Sequence, residues 1–234
     1  MSRFRTAFPA GKVFLPVVHV ESKEQALRNA SIALDNGADG IFLIGHSMSV
    51  SGLRSVYEHV RGTLPEAWIG LNQLGLSVEE SFLFLPDDVS GIWVDNGLVD
   101  PDVPNSIAAA RMFWKVLTSV RETPFQTPLY FGGIAFKGQK TVSDPGLAAK
   151  LAAPLMDIVT TSGPGTGQAA DPEKIALMRK GIEEGILGLA SGLTAENVWM
   201  YKENVDVFLV ATGISDSFTE LNPKKTRDFG RNCR

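Results

Sequence analysis

Short apolar runs recur along the whole chain and restrict the folds that it can adopt. Eight such runs begin 21 to 38 residues apart, at 13–20, 40–45, 68–71, 91–94, 129–131, 157–161, 186–190 and 207–211. Stretches with helical periodicity separate them, at 23–36, 50–61, 78–85, 104–121, 144–153, 172–184 and 195–202. Because strands and helices alternate throughout, the pattern predicts parallel strands joined by crossover helices.

The number of repeated units favours a closed barrel over an open sheet. Eight parallel strands are enough for closure, and runs that are apolar throughout are typical of strands covered on both faces. The length of 234 residues is just under the roughly 250 residues usual for such a barrel. We therefore predict an α/β fold in which residues 1–234 form a single (β/α)8 TIM barrel with eight parallel strands. The sequence pattern of the last strand-helix unit is the weakest of the eight, because only one short helix, from Pro223, follows its strand.

Composition excludes several classes of function. Hydrophobic residues make up 44% of the chain and charged residues 21%, as in an ordinary globular protein. A formal net charge of -4 gives no basic surface for nucleic acid, and no apolar stretch is long enough for a signal peptide or a membrane span. The single cysteine, Cys233, excludes an intramolecular disulfide and fits a reducing compartment. We expect a cytoplasmic protein, a monomer or homo-oligomer, that binds neither nucleic acid nor membranes.

Three turns rich in small residues follow the sixth, seventh and eighth predicted strands, at 161–167, 190–194 and 211–215. Glycine lets a backbone approach a ligand closely, and successive free N–H groups form a cradle for an anion. In TIM barrels the turns after the last two strands are the usual phosphate site. The candidate phosphate-binding residues are Ser162, Gly163, Gly165, Ser191, Gly192, Thr212 and Gly213. The alternative is that these glycines only build tight turns.

The same turns carry a resemblance to a known family. The segments DIVTTSGPGTG at 157–167, GLASGLTAENV at 188–198 and FLVATGIS at 208–215 resemble the C-terminal half of the BtpA family. The segments GADG at 37–40 and IGLN at 69–72 are similar to the first half of that family. The resemblance implies a barrel related to the ribulose-phosphate-binding enzymes and, for one branch of the family, a role in photosystem I biogenesis.

Polar residues at the ends of the other predicted strands form a second group. Side chains at the ends of different strands converge over the same mouth of a barrel. The candidate catalytic residues are Asp95, Glu21, Asn72, His19, His46 and Lys137. Each has an alternative: a turn for the aspartate, a helix start for the glutamate, no ligand contact for the asparagine, a buried position for either histidine and a solvated loop for the lysine.

The types of residue predicted at the mouth limit the reaction mechanisms that the chain could use. A Schiff-base mechanism needs a buried lysine inside the barrel, and no predicted strand carries one in its interior. No organic cofactor is evident; His19, His46, Glu21 and Asp95 are a possible divalent-metal site, although their spacing matches no metal motif. The leading hypothesis is an isomerase- or lyase-type enzyme for a small phosphorylated sugar or nucleotide-like metabolite, with Asp95 or Glu21 as general acid/base. The alternative is a non-catalytic, BtpA-like assembly factor or ligand sensor.

Overall fold

The strands of the chain close into one parallel barrel. The computed structural model describes residues 2–9, 11–121 and 128–234. Each strand pairs with the next, and the last pairs with the first. The strands are β1 Val13–His19, β2 Ile41–Ile44, β3 Ile69–Asn72, β4 Gly91–Val94, β5 Leu129–Gly133, β6 Ile158–Ser162, β7 Leu187–Ala190 and β8 Val207–Val210. The predicted (β/α)8 TIM barrel is confirmed.

Helices surround this barrel and alternate with most of its strands. They are α1 Arg3–Ala7, α2 Lys23–Asp35, α3 Val50–Thr63, α4 Val78–Leu83, α5 Ser106–Arg121, α6 Pro145–Ala152, α7 Pro172–Ile182 and α8 Pro223–Asn232. Several begin at a polar residue whose side chain accepts a hydrogen bond from a first-turn N–H, among them Ser22, Asp171 and Asn222. Across the described ranges, no helix has the length and apolarity needed to cross a bilayer.

The helix predicted for 195–202 is wrong. The described chain has only a short 3-10 turn there, Val198–Met200. The side chain of Asn197 accepts a hydrogen bond from the Thr194 N–H at 2.9 Å and donates one to the Gly192 carbonyl at 2.8 Å. Asparagine side chains that bond to nearby backbone groups compete with helix formation. These bonds hold the turn after β7 in place of a helix. The first helix, α1, was absent from the sequence predictions.

Side chains along each strand alternate between the barrel interior and the surrounding helices. In β1, Leu15 and Val17 belong to the interior cluster, whereas Phe14 and Val18 belong to the cluster between strands and helices. Phe14, for example, packs on Phe229 of α8 with ring centroids 4.8 Å apart. This period of two explains why the runs are apolar throughout, because both faces of every strand are covered.

Aromatic rings fill the lower part of the barrel. The ring of Phe42 lies 5.0 Å from Phe131, 5.4 Å from Trp68 and 5.7 Å from Trp93, measured between centroids. Phe8, directly after α1, adds a further ring 5.4 Å from Trp68. We call Phe42, Trp68, Trp93 and Phe131 the aromatic plug. Its packing makes this part of the barrel a solid core, and its upper surface becomes the floor of the mouth.

Glycines on neighbouring strands make room for the aromatic plug. A Cβ atom at Gly70 would overlap the ring of Phe42, and one at Gly91 would overlap the ring of Trp68. Neither ring can move freely, because each is packed against other members of the plug. Small residues at these positions are therefore required by the large ones beside them.

We expect Gly91→Ala to lower the free energy of unfolding by about 1–3 kcal/mol, the usual cost of overpacking a core. Gly62→Ala is the control: Gly62 is exposed in the last turn of α3, and a Cβ there meets no atom within 4 Å. The control should be neutral or stabilising by up to about 1 kcal/mol. Urea denaturation of both variants measures the difference, and equal stability would mean that the rings do not pack as described.

Candidate functional site

A cavity of about 260 Å³ opens at the carboxyl ends of the strands. Eight of the residues singled out from the sequence line it: His19, His46, Asp95, Lys137, Ser191, Gly192, Thr212 and Gly213. They come from six different strand ends, which the closed barrel brings together. The expectation that both groups of candidates share one mouth holds for these eight residues.

The turns after β7 and β8 pack tightly on other backbone segments. A Cβ atom at Gly213 would overlap the Leu193 carbonyl, and one at Gly192 would overlap the backbone of residues 168 and 169. Gly192 and Ser191 both have positive φ angles, 65° and 69°. Turn packing alone therefore requires these glycines. The side chains and N–H groups that face the cavity are what a ligand would contact.

The turn after β6 contributes different residues from those predicted. Thr166 and Gly167 line the cavity, whereas Ser162, Gly163 and Gly165 do not. The Ser162 hydroxyl is buried; it accepts a hydrogen bond from the Lys137 N–H and donates one to the Gly163 carbonyl, each at 2.8 Å. Its hydrogen-bonding capacity is thus used within the protein.

Asp95 lies in the cavity with its carboxyl group held by a neighbour. The Asn72 Nδ2 donates a hydrogen bond to the Asp95 Oδ1 at 3.0 Å. Burial raises the pKa of the Asp95 carboxyl, and the bond from Asn72 and the charges of Lys137 and His46 oppose that rise. The turn itself is capped by Asn96, whose Oδ1 accepts from the Leu98 N–H at 3.0 Å. The Asp95 carboxyl is therefore left to face the cavity.

Lys137 follows β5 and reaches the turn after β6. Its Nζ donates a hydrogen bond to the Thr166 hydroxyl at 3.1 Å, and its side chain lines the cavity. This position differs from the solvated loop that the sequence left open. A cation is thus placed beside the turns in which phosphate binding was predicted.

The two histidines of the mouth form an aromatic group with Phe218. Ring centroids of His19 and His46 lie 4.7 Å apart, and Phe218 lies 4.1 Å from His19 and 5.0 Å from His46. Burial lowers the pKa of His19 to about 4, helped by the charges of His46 and Lys137 and opposed by a hydrogen bond to the Phe218 carbonyl. His19 is therefore a neutral imidazole near pH 7.

Glu21 does not join this group. It is exposed, lies outside the lining of the cavity, and donates its backbone N–H to the Gln25 side chain at 3.0 Å at the start of α2. In the part of the chain that the structure describes, no three His, Cys, Asp or Glu side chains are grouped to hold a metal ion. The involvement of a divalent ion stays a prediction from the sequence.

Several residues in and near the mouth were missed by the sequence analysis. Trp93 lines the floor of the cavity, and it could have been found because it precedes Asp95 by two residues and so shares its face of β4.

Lys174 of α7 is a half-buried lysine outside the strands, and its Nζ donates hydrogen bonds to the Ala135 and Ser162 carbonyls at 2.5 and 2.9 Å. Burial lowers the pKa of Lys174 to about 8, but the residue lines a neighbouring cavity.

The fold is shared with several phosphate-ester enzymes of known structure. (S)-3-O-geranylgeranylglyceryl phosphate synthase from Thermoplasma acidophilum, solved in complex with its substrate sn-glycerol-1-phosphate, superposes with a TM-score of 0.66 at 11% identity, over 100% of this chain and 98% of that one. Phosphoribosyl anthranilate isomerase from Thermus thermophilus gives a TM-score of 0.61 at 12% identity, over 94% and 97%. Orotidine 5'-monophosphate decarboxylase from Methanocaldococcus jannaschii gives a TM-score of 0.62 at 14% identity, over 94% and 98%.

Identities this low establish the common barrel and nothing about activity. No protein-family model and no curated protein sequence matches the chain. The resemblance to the BtpA family therefore stays a prediction. What the comparisons add is that the whole chain, from β1 to α8, is spanned by barrels of the same architecture.

Proposed function

We propose that the chain is an enzyme that binds a small phosphorylated metabolite in the 260 Å³ cavity and uses Asp95 as its general acid/base. The observation that carries this proposal is the pairing of two features in one mouth. Lys137 and the turns after β6–β8 offer a local anion site, while Asp95 offers a carboxyl group of raised pKa. Perturbed carboxyl groups in clefts are typical of catalytic sites.

The phosphate end of the proposed ligand belongs at the turns after β6, β7 and β8. The net charge of the chain is -4, so an anion must be attracted locally rather than by the whole surface. Lys137 supplies that local charge, and the hydroxyls of Thr166, Ser191 and Thr212 supply further donors. The names of the three similar structures describe enzymes of phosphorylated compounds, which supports the proposal by analogy.

The reacting end of the ligand belongs near Asp95. A carboxyl group whose pKa is raised toward neutrality takes up and returns a proton more readily than an ordinary one. The bond from Asn72 fixes its orientation, which general acid/base catalysis needs. An isomerase or a lyase would use this group to move a proton from carbon or oxygen of the bound metabolite.

The second candidate is a non-catalytic, BtpA-like assembly factor or ligand sensor. The observation that favours it is an exposed apolar face on α5, where Met112 and Val116 are 73% and 56% exposed and lie one helical turn apart. A contiguous exposed apolar patch is typical of contact with another protein, and these two side chains would belong to one. Binding without turnover would favour this candidate.

Inorganic phosphate should raise the melting temperature of the wild type, because a ligand that binds only the folded state stabilises it. We expect Ser191→Asp to abolish that rise, since it places a carboxylate among groups meant for an anion. Ser191→Asn is the matched control: it has nearly the same shape without the charge, and both residues tolerate the positive φ of this position. An equal phosphate response in the two variants would place the anion elsewhere.

Asp95→Asn should keep phosphate binding and reduce turnover about 10²–10⁴-fold, the usual loss for a general acid/base. The amide keeps the size of the side chain but cannot transfer the proton. A screen of phosphorylated metabolites against the wild type identifies the reaction, and steady-state kinetics then measure the loss. Glu21→Gln separates the two carboxyl candidates: a loss in that variant and not in Asp95→Asn would refute the assignment to Asp95.

The acidic limb of the kcat/KM profile should reflect Asp95. If the carboxylate acts as base, activity falls as pH drops through its pKa, and burial places that midpoint above the ordinary value of 3.8. Lys137 lowers the pKa of Asp95, so Lys137→Met should move the midpoint to higher pH. Lys140→Met, at an exposed lysine outside this cavity, should leave it unchanged. A midpoint that stays the same in Lys137→Met as in Lys140→Met would contradict the assignment.

A further inference from the structure

We propose that Trp93 and His19 form a neutral hydrogen-bonding subsite that selects a ligand whose non-phosphate end is uncharged and hydroxylated. The expected class is a short polyol or sugar phosphate, as opposed to a phosphorylated carboxylate or a nucleotide. This inference rests on the proposed function, because it assumes that a phosphate group occupies the turns after β6–β8. We call Trp93 and His19 the neutral subsite.

Strand register places the neutral subsite on one wall of the cavity. His19 pairs with Ile44, Ile44 pairs with Asn72, and Asn72 pairs with Trp93. The four residues therefore follow one line across β1–β4, with their side chains on the interior face. Closure of the barrel puts Trp93 on β4 across the mouth from the turn after β8, whereas His19 on β1 lies beside β8. The neutral subsite thus extends from the wall opposite the β8 turn to the wall next to it.

Trp93 has a buried donor without a partner. Its side chain is 4% exposed, lines the cavity and packs between Phe42 and Phe136. Among the described residues, nothing accepts a hydrogen bond from its Nε1. An indole nitrogen can only donate, and an unpaired buried donor is costly enough to be rare in native proteins. A ligand oxygen at the floor of the cavity would satisfy it.

His19 has a buried ring nitrogen without a partner. It is 7% exposed, and within the described part of the chain its Nδ1 makes no hydrogen bond. We assign the proton of the neutral ring to Nε2, the nitrogen left to face the Phe218 carbonyl that raises the pKa of the ring. That tautomer leaves a lone pair on Nδ1. The His19 Nδ1 therefore needs a donor, such as a ligand hydroxyl.

A hydroxyl group can meet either of these needs, whereas an ionised carboxylate can meet only that of Trp93. A hydroxyl both donates and accepts, whereas an ionised carboxylate only accepts. A carboxylate at this wall would face the His19 lone pair and the acidic side chain of Asp95. Lys137 is the one lysine or arginine among the described residues lining the cavity, and its ammonium is at Thr166 beside the phosphate turns. A second anionic group would stay unpaired.

The size of the cavity restricts the ligand further. Its volume of about 260 Å³ is below the roughly 300–1,000 Å³ usual for drug-sized ligands. The aromatic plug closes it from below, so a longer ligand cannot extend into the barrel. A phosphate group and a short carbon chain fit this space better than a nucleotide.

Calorimetric titration with three probes tests the inference: inorganic phosphate, glycerol 3-phosphate and 3-phosphoglycerate. The last two differ in carrying a hydroxymethyl or a carboxylate group. We expect glycerol 3-phosphate to bind about tenfold or more tightly than inorganic phosphate, and 3-phosphoglycerate to gain nothing over phosphate. Trp93→Phe and His19→Phe should each weaken glycerol 3-phosphate about two- to tenfold, the effect of losing one hydrogen bond, without changing the Kd of phosphate. Trp199→Phe, at an exposed tryptophan, is the control.

The outcomes separate this inference from the function on which it rests. Phosphate binding with no gain for glycerol 3-phosphate, or with an equal gain for 3-phosphoglycerate, overturns the neutral subsite and leaves the phosphate site standing. The same holds if both phenylalanine variants bind glycerol 3-phosphate as the wild type does. Failure of every probe to bind overturns both proposals. If Trp93→Phe does not fold, His19→Phe and the probes on the wild type still decide.

Discussion

Bulky rings inside an eight-stranded barrel need space that only small residues on the next strand can give. Phe42 and Trp68 occupy the space left by Gly70 and Gly91, and the resulting aromatic plug makes the lower barrel solid. The upper surface of the plug includes Trp93, which belongs to the core by its packing and to the mouth by its position. The floor of the candidate site therefore has the rigidity of the core. Ligand-binding geometry at this floor depends on the same packing that stabilises the fold.

The mouth holds one cation and one carboxyl group after neighbouring strands. Lys137, after β5, reaches toward the turn after β6, and Asp95, after β4, is held by Asn72 from β3. In a partly buried cavity such opposite charges are weakly screened, so they orient an anionic ligand strongly. The phosphate group is attracted to one side, and the rest of the molecule is presented to the carboxyl group. Both charges follow strand ends, which explains why a loop-borne site can keep a fixed geometry.

Runs that are apolar throughout, their alternation with helical stretches and the polar residues at strand ends predicted the barrel and eight of the residues that line the mouth. Asp95, Lys137 and His19 were found because polar residues at or shortly after the ends of buried strands must meet at one end of a barrel. The failures have local causes that spacing does not reveal. The Ser162 hydroxyl bonds to backbone instead of facing the cavity, and Asn197 replaces a predicted helix with side-chain hydrogen bonds. Trp93 was missed because an aromatic residue within an apolar run is typical of core, although its spacing of two residues from Asp95 places both on one face.

Hydrogen-bond partners distinguish polar groups that the fold needs from polar groups that a ligand would need. Lys174 donates to two carbonyls, so its position is accounted for by the loops after β5 and β6 that it joins. Trp93 Nε1 and His19 Nδ1 are both buried, and neither has a hydrogen-bond partner among the described residues. Each unsatisfied group costs about 1–3 kcal/mol of stability, a cost that packing alone gives no reason to keep. Polar atoms that the fold leaves unpaired at the mouth of a barrel are best explained by a ligand that pairs them.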